Sequence, residues 1–251
     1  MSTRPETGID RLIVTSNIFG ETSNIASVLR GKEAWGACRV ISLGGLIGIG
    51  RQPRECIAMA RRSFSDILKG KFEFCLTRGS ECAMSYSDRA SLELTKLLLD
   101  DVTTGSDDIS MTDYIEQLPI HLVENDYSFT YGSPLDPIHD ILVPSDHRNH
   151  EKMREVFDNV GRICFCGGSH AAGVFAMEQH GKDFSFTELS SRSPSFNMAP
   201  SMKYICSVGS VGARLDGSPR GFVMVDKRES ILRFFCIDDD HVQHQMAYVS
   251  L

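Results

Sequence analysis

Polar side chains follow the first apolar stretch of the chain, at a place where α/β proteins commonly bind ligands. Residues 12–15 read as a buried strand, and Ser16, Asn17, Phe19 and Glu21 lie in the loop directly after it. In an open α/β sheet, ligands bind just outside the carboxyl ends of the strands. These four residues therefore occupy a position where chemistry is expected, although most of the usual chemical groups are absent.

Two later loops carry further reactive side chains. Glu81 and Cys82 follow Gly79, and His170 follows an apolar run that ends in Gly167. Cys82 and His170 could form a thiolate–imidazole dyad, and with Glu81 they could hold one zinc ion. No oxyanion-hole motif accompanies them, and a lone histidine is more often hydrogen-bonded to a neighbour than bound to a metal. We therefore expect His170 to be structural, with the dyad and the zinc site as alternatives.

Several other groups of residues are interpreted without chemistry. The glycine-rich residues 44–50 lack the lysine of a P-loop and read as a structural turn. A solvated loop is expected at Asp140, Asp146, His147 and His150, and a solvated helical face at Arg51, Arg54, Arg61 and Arg62. The chain has eight cysteines, and because most stand in apolar runs we expect buried, reduced thiols.

Strands and helices alternate in the first half of the chain. The predicted order is strand 12–15, helix 21–29, strand 40–43, a helix from Pro53 with an apolar stripe reaching Leu68, strand 72–77 and helix 87–99. An exposed loop is expected at 100–108. Such an alternation predicts a parallel sheet whose strand ends position the loops described above.

The second half of the chain is predicted to be mostly β-structure. The sequence indicates a short helix near 111–118, a hairpin at 120–123 and 127–130, a helix at 151–159, and then short strands from residue 162 to residue 237. Two mixed sheets packed face to face, with helices on the outside, are the simplest assembly. We expect a four-layer α/β fold in a single domain over residues 1–251.

Composition and charge limit the classes of partner. The chain has 251 residues, of which 41% are hydrophobic and 24% charged, with a formal net charge of −7. No basic run stands out, so nucleic acid and anionic membranes are poor expected partners. No apolar run approaches the roughly 20 residues of a membrane span, and the amino terminus has no apolar signal region. A cytoplasmic protein is expected.

Six stretches resemble, in order, the motifs of the calcineurin-like metallophosphoesterases, and most closely their small bacterial and archaeal phosphodiesterase and phosphatase branch. The family motifs are S-D-x-H-G-N, L-G-D-x-x-x-x-G-x-x-P, G-N-H-D, H-[AG]-S-P, G-H-T-H and N-x-G-S-V-G. The corresponding stretches here are residues 16–21, 43–53, 79–82, 131–134, 167–170 and 207–212. The glycines, prolines and apolar strands agree, so the resemblance implies an αββα sandwich of two mixed β-sheets flanked by helices.

The same resemblance implies that the metal-binding side chains of the family are mostly lost. Family members clamp a phosphoester between two cations about 3.5–4 Å apart, held by a bridging Asp. That Asp corresponds to Gly45, and only His170 keeps its identity as a ligand. The other ligand positions hold Asn17, Phe19, Ser80, Tyr131 and Gly168, and the leaving-group His and its partner Asp are replaced by Glu81 and Cys82.

We therefore expect a catalytically degenerate phosphoesterase homologue, a pseudo-phosphatase whose fold serves binding or assembly, without a cofactor. The expected pocket consists of Asn17, Phe19, Glu21, Gly45, Ser80, Glu81, Tyr131, Gly168 and His170. Phe19 and Tyr131 should fill part of the space left by the absent ligands. The partner would be an unknown small molecule, a protein, or a second copy in a homo-oligomer. The alternative is an active phosphatase or phosphodiesterase with a rearranged or single-metal site holding Zn²⁺ or Mn²⁺.

Overall fold

Two six-stranded sheets form the centre of the computed structural model, which describes residues 11–79, 82, 84–100, 110–177, 183–212 and 217–237. In spatial order, the first sheet contains β3 (Asp66–Ile67), β2 (Arg39–Ser42), β1 (Arg11–Thr15), β11 (Gly221–Asp226), β12 (Ile231–Cys236) and β9 (Ser195–Asn197). The second contains β4 (His121–Glu124), β5 (Tyr127–Thr130), β6 (Ile163–Cys166), β10 (Lys203–Val208), β7 (Ala172–Met177) and β8 (Phe184–Glu188). Both sheets mix parallel and antiparallel pairs.

Helices flank the two sheets. They are α1 (Thr22–Trp35), α2 (Pro53–Ser63), α3 (Lys71–Arg78), α4 (Tyr86–Asp100), α5 (Met111–Gln117) and α6 (His150–Asp158), with a short 3₁₀ helix at Pro144–Arg148. Within the described ranges, none of these helices combines the length and apolar character needed to cross a bilayer. The predicted four-layer α/β fold is confirmed.

The alternating side-chain directions along β1 explain how this strand packs against the layers on both of its faces. Leu12 and Val14 point into the core between the sheets, while Ile13 joins the core beneath the helices. Successive residues of a strand face opposite sides, so a strand buried on both faces reads as a continuous apolar run. β1 pairs in parallel with β2, with Val14 opposite Ile41. The carboxyl ends of these strands therefore lie at one edge, as the sequence predicts.

The predicted third strand is wrong. Residues 72–77 belong to helix α3, and the strand beside β2 is the two-residue β3. Phe72, Phe74 and Leu76 alternate like a strand, but Phe72, Cys75 and Leu76 also share one helical face and are buried. The predicted helical stripe reaching Leu68 is also too long, because α2 ends at Ser63. The loop predicted at 100–108 lies, after residue 100, outside the described residues.

The expectation of eight reduced cysteines is wrong for one pair. Cys75 on α3 forms a disulfide with Cys82, across a Cα–Cα distance of 5.3 Å. The other six cysteines form no disulfide, and five of them are buried. Disulfides are typical of oxidising compartments, so the cytoplasmic location stays a prediction.

An ion-pair network at the amino ends of β2 and β3 and the carboxyl end of β4 joins the two sheets. Arg39 on β2 binds both carboxylate oxygens of Glu124 on β4, each at 2.8 Å, and Asp66 Oδ2 on β3 at 2.6 Å. The three side chains are 17 to 23% exposed. Bidentate arginine–carboxylate pairs are the stronger kind of ion pair, so this network clamps one sheet to the other.

Replacing Arg39 with methionine is expected to lower the free energy of unfolding by about 1–2 kcal/mol, because two half-buried carboxylates lose their shared partner. Urea unfolding monitored by circular dichroism measures this. The matched control is Lys96→Met, which removes an exposed pair with Glu93 and should cost less than about 0.5 kcal/mol. Equal effects of the two substitutions would contradict the clamp.

Candidate functional site

Backbone hydrogen bonds tie together the loops that follow β1, β2 and β10. The Asn17 N–H donates to the carbonyl oxygen of Gly44 at 3.0 Å, and the Phe19 N–H donates to that of Gly45 at 2.8 Å. From the loop after β10, the Gly212 N–H donates to the Asn17 carbonyl at 2.8 Å. Asn17 and Gly45 therefore lie side by side at the carboxyl edge of the first sheet.

The loop after β6 brings the second sheet to the same place. The Gly167 N–H donates to the Thr130 carbonyl at 3.1 Å, which sets this loop beside the end of β5. A Cβ on Gly167 would collide with the Ser16 hydroxyl, and a Cβ on Gly168 would lie 3.1 Å from the Tyr131 carbonyl oxygen. Close approach of this kind requires glycine. The two sheets thus meet at the predicted loops.

Aromatic rings fill the space between these loops. The Phe19 ring lies edge-on to Phe72 with 6.1 Å between centroids, and 6.0 Å from the His170 ring. Tyr131 packs against Gly70, whose absent Cβ would lie 2.8 Å from the Tyr131 ring. Phe19, Phe72 and Tyr131 are only 4, 6 and 5% exposed. Phe19 and Tyr131 are buried as predicted, and Phe72 is a third ring that was not anticipated.

A buried carboxylate, Glu73, lies in the same cluster. Its Oε2 accepts the N–H groups of Gly45 and Gly70 at 3.0 and 2.9 Å, and its Oε1 accepts the N–H of Ile47 at 2.9 Å. The side chain is fully buried. Burial raises the pKa of Glu73 above its usual range, against the opposing effect of the backbone donors. Glu73 therefore holds the loops after β2 and β3 together.

Asn17 is strained and lacks hydrogen-bond partners for its side chain. Its φ is +58°, a left-handed conformation that asparagine tolerates better than most residues. Both side-chain amide atoms are buried without a partner in the described part of the chain. A Cβ on Gly45 would come within 2.8 Å of the Asn17 Oδ1, so the amide is pressed against the Gly45 backbone.

These residues do not fit a pair of cations. Two cations held close together need an anionic bridge, and Gly45 has no side chain to supply it. The carboxylate that is present, Glu73, already accepts backbone donors at both oxygens. Asn17 offers only a neutral oxygen, and no group of three or more His, Cys, Asp or Glu in the described ranges is arranged to hold an ion. The donor set therefore does not match the metal centre that the resemblance implies.

The remaining predicted site residues lie apart from this cluster or outside the described ranges. Glu21 is exposed at the start of α1. Burial of the Cys56 thiol, together with the charges of Glu21 and Glu55, raises the pKa of that thiol to about 12. Ser80 and Glu81 lie outside the described residues. The Cys82 sulfur is engaged in its disulfide, which contradicts a Cys82 nucleophile or zinc ligand.

Sequence reasoning missed Phe72 and Glu73 because the third strand was misplaced. With β3 ending at Ile67, the stretch that follows the third strand is residues 70–73, which read G-K-F-E. Its first glycine and last acidic residue match G-N-H-D, whereas residues 79–82 match only at the glycine. The sequence signal that could have found these two residues is therefore the same motif, matched to the loop that follows β3.

Solved structures resemble this fold over nearly its whole length, whereas no protein-family profile and no curated protein matches the sequence. A metallophosphoesterase from Sphaerobacter thermophilus superposes with a TM-score of 0.72 at 18% identity, covering 96% of this chain and 94% of that one. A hypothetical protein from Pyrococcus horikoshii gives 0.62 at 16% identity, with the same coverage. Likeness at these identities establishes architecture, and this chain has the metallophosphoesterase fold.

Proposed function

We propose that this protein is a catalytically degenerate phosphoesterase homologue whose fold serves binding or assembly. The proposal rests on the observation that side chains fill the space between the loops at the carboxyl ends of the strands. Phe19, Phe72 and Tyr131 are buried there. Both carboxylate oxygens of Glu73 already accept hydrogen bonds from backbone N–H groups. The Phe19 and Phe72 rings offer no ligand to a cation, and burial raises the pKa of Tyr131, which disfavours the phenolate that could bind one.

Electrostatics supports the same proposal. Phosphoryl transfer places negative charge on the non-bridging oxygens, which cations or fixed donors must stabilise. Here the backbone N–H groups of Gly45, Ile47 and Gly70 all donate to the chain's own Glu73. A phosphate would have to displace that carboxylate or share the site with a like charge. The cluster therefore opposes the transition state of phosphoester hydrolysis.

The purified protein is expected to contain no stoichiometric metal and to hydrolyse neither a phosphomonoester nor a phosphodiester. Metal content is measured by mass spectrometry on protein prepared without chelator. Hydrolysis is measured with p-nitrophenyl phosphate and its bis ester, with added Mn²⁺, Ni²⁺ or Zn²⁺. The expected rate equals that of a buffer blank, because no bridging ligand is present.

The control variant is His170→Ala, since His170 alone keeps a ligand identity in the resemblance. Metal-dependent turnover above the blank that disappears in His170→Ala would overturn the proposal in favour of a single-metal hydrolase. About one tightly bound ion per chain would have the same consequence. Size-exclusion chromatography with light scattering tests the assembly part: a homo-oligomer would support assembly of this chain with itself, and a monomer would leave binding of a small molecule or another protein.

A further inference from the structure

A cavity lies away from the filled cluster, at the edge of the first sheet formed by β12 and β9. Its volume is about 380 Å³, within the usual range for small-molecule sites. Its wall includes Trp35, the last residue of α1, together with Phe235 and Arg233 of β12 and Ser195 and Asn197 of β9. None of these residues belongs to the strand-end loops described above.

Strand register places the polar and apolar parts of this wall on one face. Arg233 pairs with Ser195, and Ile231 pairs with Asn197. Directly opposed residues in an antiparallel pair project to the same side of a sheet. Phe235, two residues after Arg233, shares that side. The cavity therefore combines a strip of polar side chains with aromatic surface.

The aromatic part of the wall is preformed. The Trp35 and Phe235 rings meet with 4.4 Å between centroids at an interplanar angle of 60°. The Arg233 guanidinium lies 5.7 Å from the centroid of the Trp35 ring. Trp35 is 6% exposed. A planar ring entering the cavity would thus find aromatic surface already ordered, which reduces the entropy lost on binding.

Two hydrogen-bond donors in this wall lack acceptors. The indole Nε1 of Trp35 and the Nε of Arg233 are both buried and have no partner among the residues that the structure describes. Both groups are donors only. Glu229 is 50% exposed and approaches a different guanidinium nitrogen of Arg233, at 3.6 Å. Neither nitrogen has accessible surface, so a ligand in the cavity reaches Arg233 through the terminal guanidinium nitrogens of its one-third exposed side chain. An incompletely neutralised guanidinium is complemented by an anionic acceptor.

We propose that this cavity binds a small aromatic carboxylate. The carboxylate accepts from the terminal guanidinium nitrogens of Arg233, and the ring packs against Trp35 and Phe235. A single guanidinium beside aromatic surface suits a monoanion with a ring better than a phosphate, whose higher charge calls for more cations. The proposal goes beyond the degenerate-enzyme function, since it uses no residue of the filled cluster and stands or falls separately from it.

Benzoate is the probe, and Trp35 is the reporter because it is the only tryptophan in the chain. Titration with benzoate is expected to change the tryptophan fluorescence saturably and to shift the single indole N–H resonance in proton–nitrogen NMR spectra. Benzyl alcohol, which keeps the ring and removes the charge, should bind at least about tenfold more weakly.

Two substitutions on β12 and its preceding turn should act in opposite directions. Arg233→Met is expected to weaken benzoate binding at least about tenfold. Glu229→Gln should tighten it by about two- to fivefold, because it removes the competing carboxylate. If Arg233→Met fails to fold by circular dichroism, Glu229→Gln decides the matter, because the Glu229 side chain is half exposed.

Three results would overturn the proposal: no saturable response to benzoate, equal binding of benzyl alcohol, or unchanged affinity in the folded variants. An unshifted indole resonance despite binding would also overturn it, since the ligand would then lie elsewhere. The phosphoesterase assays are independent of each of these results. Failure of benzoate binding therefore leaves the degenerate-enzyme proposal intact, and phosphoesterase activity leaves this cavity's proposal intact.

Discussion

Glu73→Ala is expected to lower the free energy of unfolding by about 4 kcal/mol, which is large for a single substitution. Glu73 is fully buried and accepts the backbone N–H groups of Gly45, Ile47 and Gly70. Alanine removes both acceptor oxygens and leaves a cavity lined by three unsatisfied donors. Urea unfolding followed by circular dichroism measures the change.

Glu73→Gln is the matched control, because it keeps the volume and one oxygen. The oxygen can still accept from Gly45 and Gly70, but the amide NH₂ then faces the Ile47 donor. The expected loss at neutral pH is about 1–3 kcal/mol, smaller than for alanine. A loss in Glu73→Ala no larger than in Glu73→Gln would contradict the view that these hydrogen bonds hold the two loops together.

The cost of Glu73→Gln should also depend on pH. Burial raises the folded-state pKa of Glu73 above its ordinary value of 4.5. Between these two values the folded state binds more protons than the unfolded state, so stability falls as pH rises through this window. Glutamine does not titrate, and the variant lacks this decrease. The difference between wild type and Glu73→Gln should therefore shrink as pH rises from about 4.5 towards neutrality, as urea unfolding at several pH values would show. A growing difference would contradict the raised pKa.

The sheet framework could be predicted from the sequence because its signals are local. Leu12 to Val14 form an uninterrupted apolar run, and β1 lies there, with the predicted loop at its carboxyl end. The glycines after β2 and β6 mark backbone turns that approach other loops closely. Turn chemistry and buried runs need no knowledge of distant residues, so these predictions are confirmed.

The errors occur where the outcome depends on partners far along the chain. The pattern of residues 72–77 fits a strand and a helix equally well. The structure has the helix, in which Glu73 accepts hydrogen bonds from the backbone N–H groups of Gly45 and Ile47. A glutamate in an apolar run reads as solvent-exposed until its backbone donors are known. Likewise, Trp35 and Arg233 meet only through the packing of α1 on the sheet, so the cavity they line has no sequence signature.

Restoring the bridging carboxylate by Gly45→Asp is expected to yield an inactive, metal-free protein that is destabilised by about 3–5 kcal/mol. Gly45 has a φ of +68°, and an added Cβ would come within 2.8 Å of the Asn17 Oδ1 and 3.0 Å of the Asn17 Cα. The new carboxylate would also stand beside Glu73, which accepts the Gly45 N–H. Crowding, backbone strain and like charge therefore all oppose the substitution.

Gly36→Asp separates these contributions. Gly36 has a similar φ of +60°, and a Cβ there would meet nothing within 4 Å. This control should cost only about 1–2 kcal/mol, the strain of the left-handed backbone alone. Urea unfolding gives both losses, and mass spectrometry with a Mn²⁺-supplemented p-nitrophenyl phosphate assay gives metal content and turnover. If Gly45→Asp matched Gly36→Asp in stability, or bound Mn²⁺ and turned over substrate, the cluster would be an empty metal site awaiting one ligand. The packing of Phe19, Phe72 and Tyr131 argues instead that several residues would have to change together before a cation could enter.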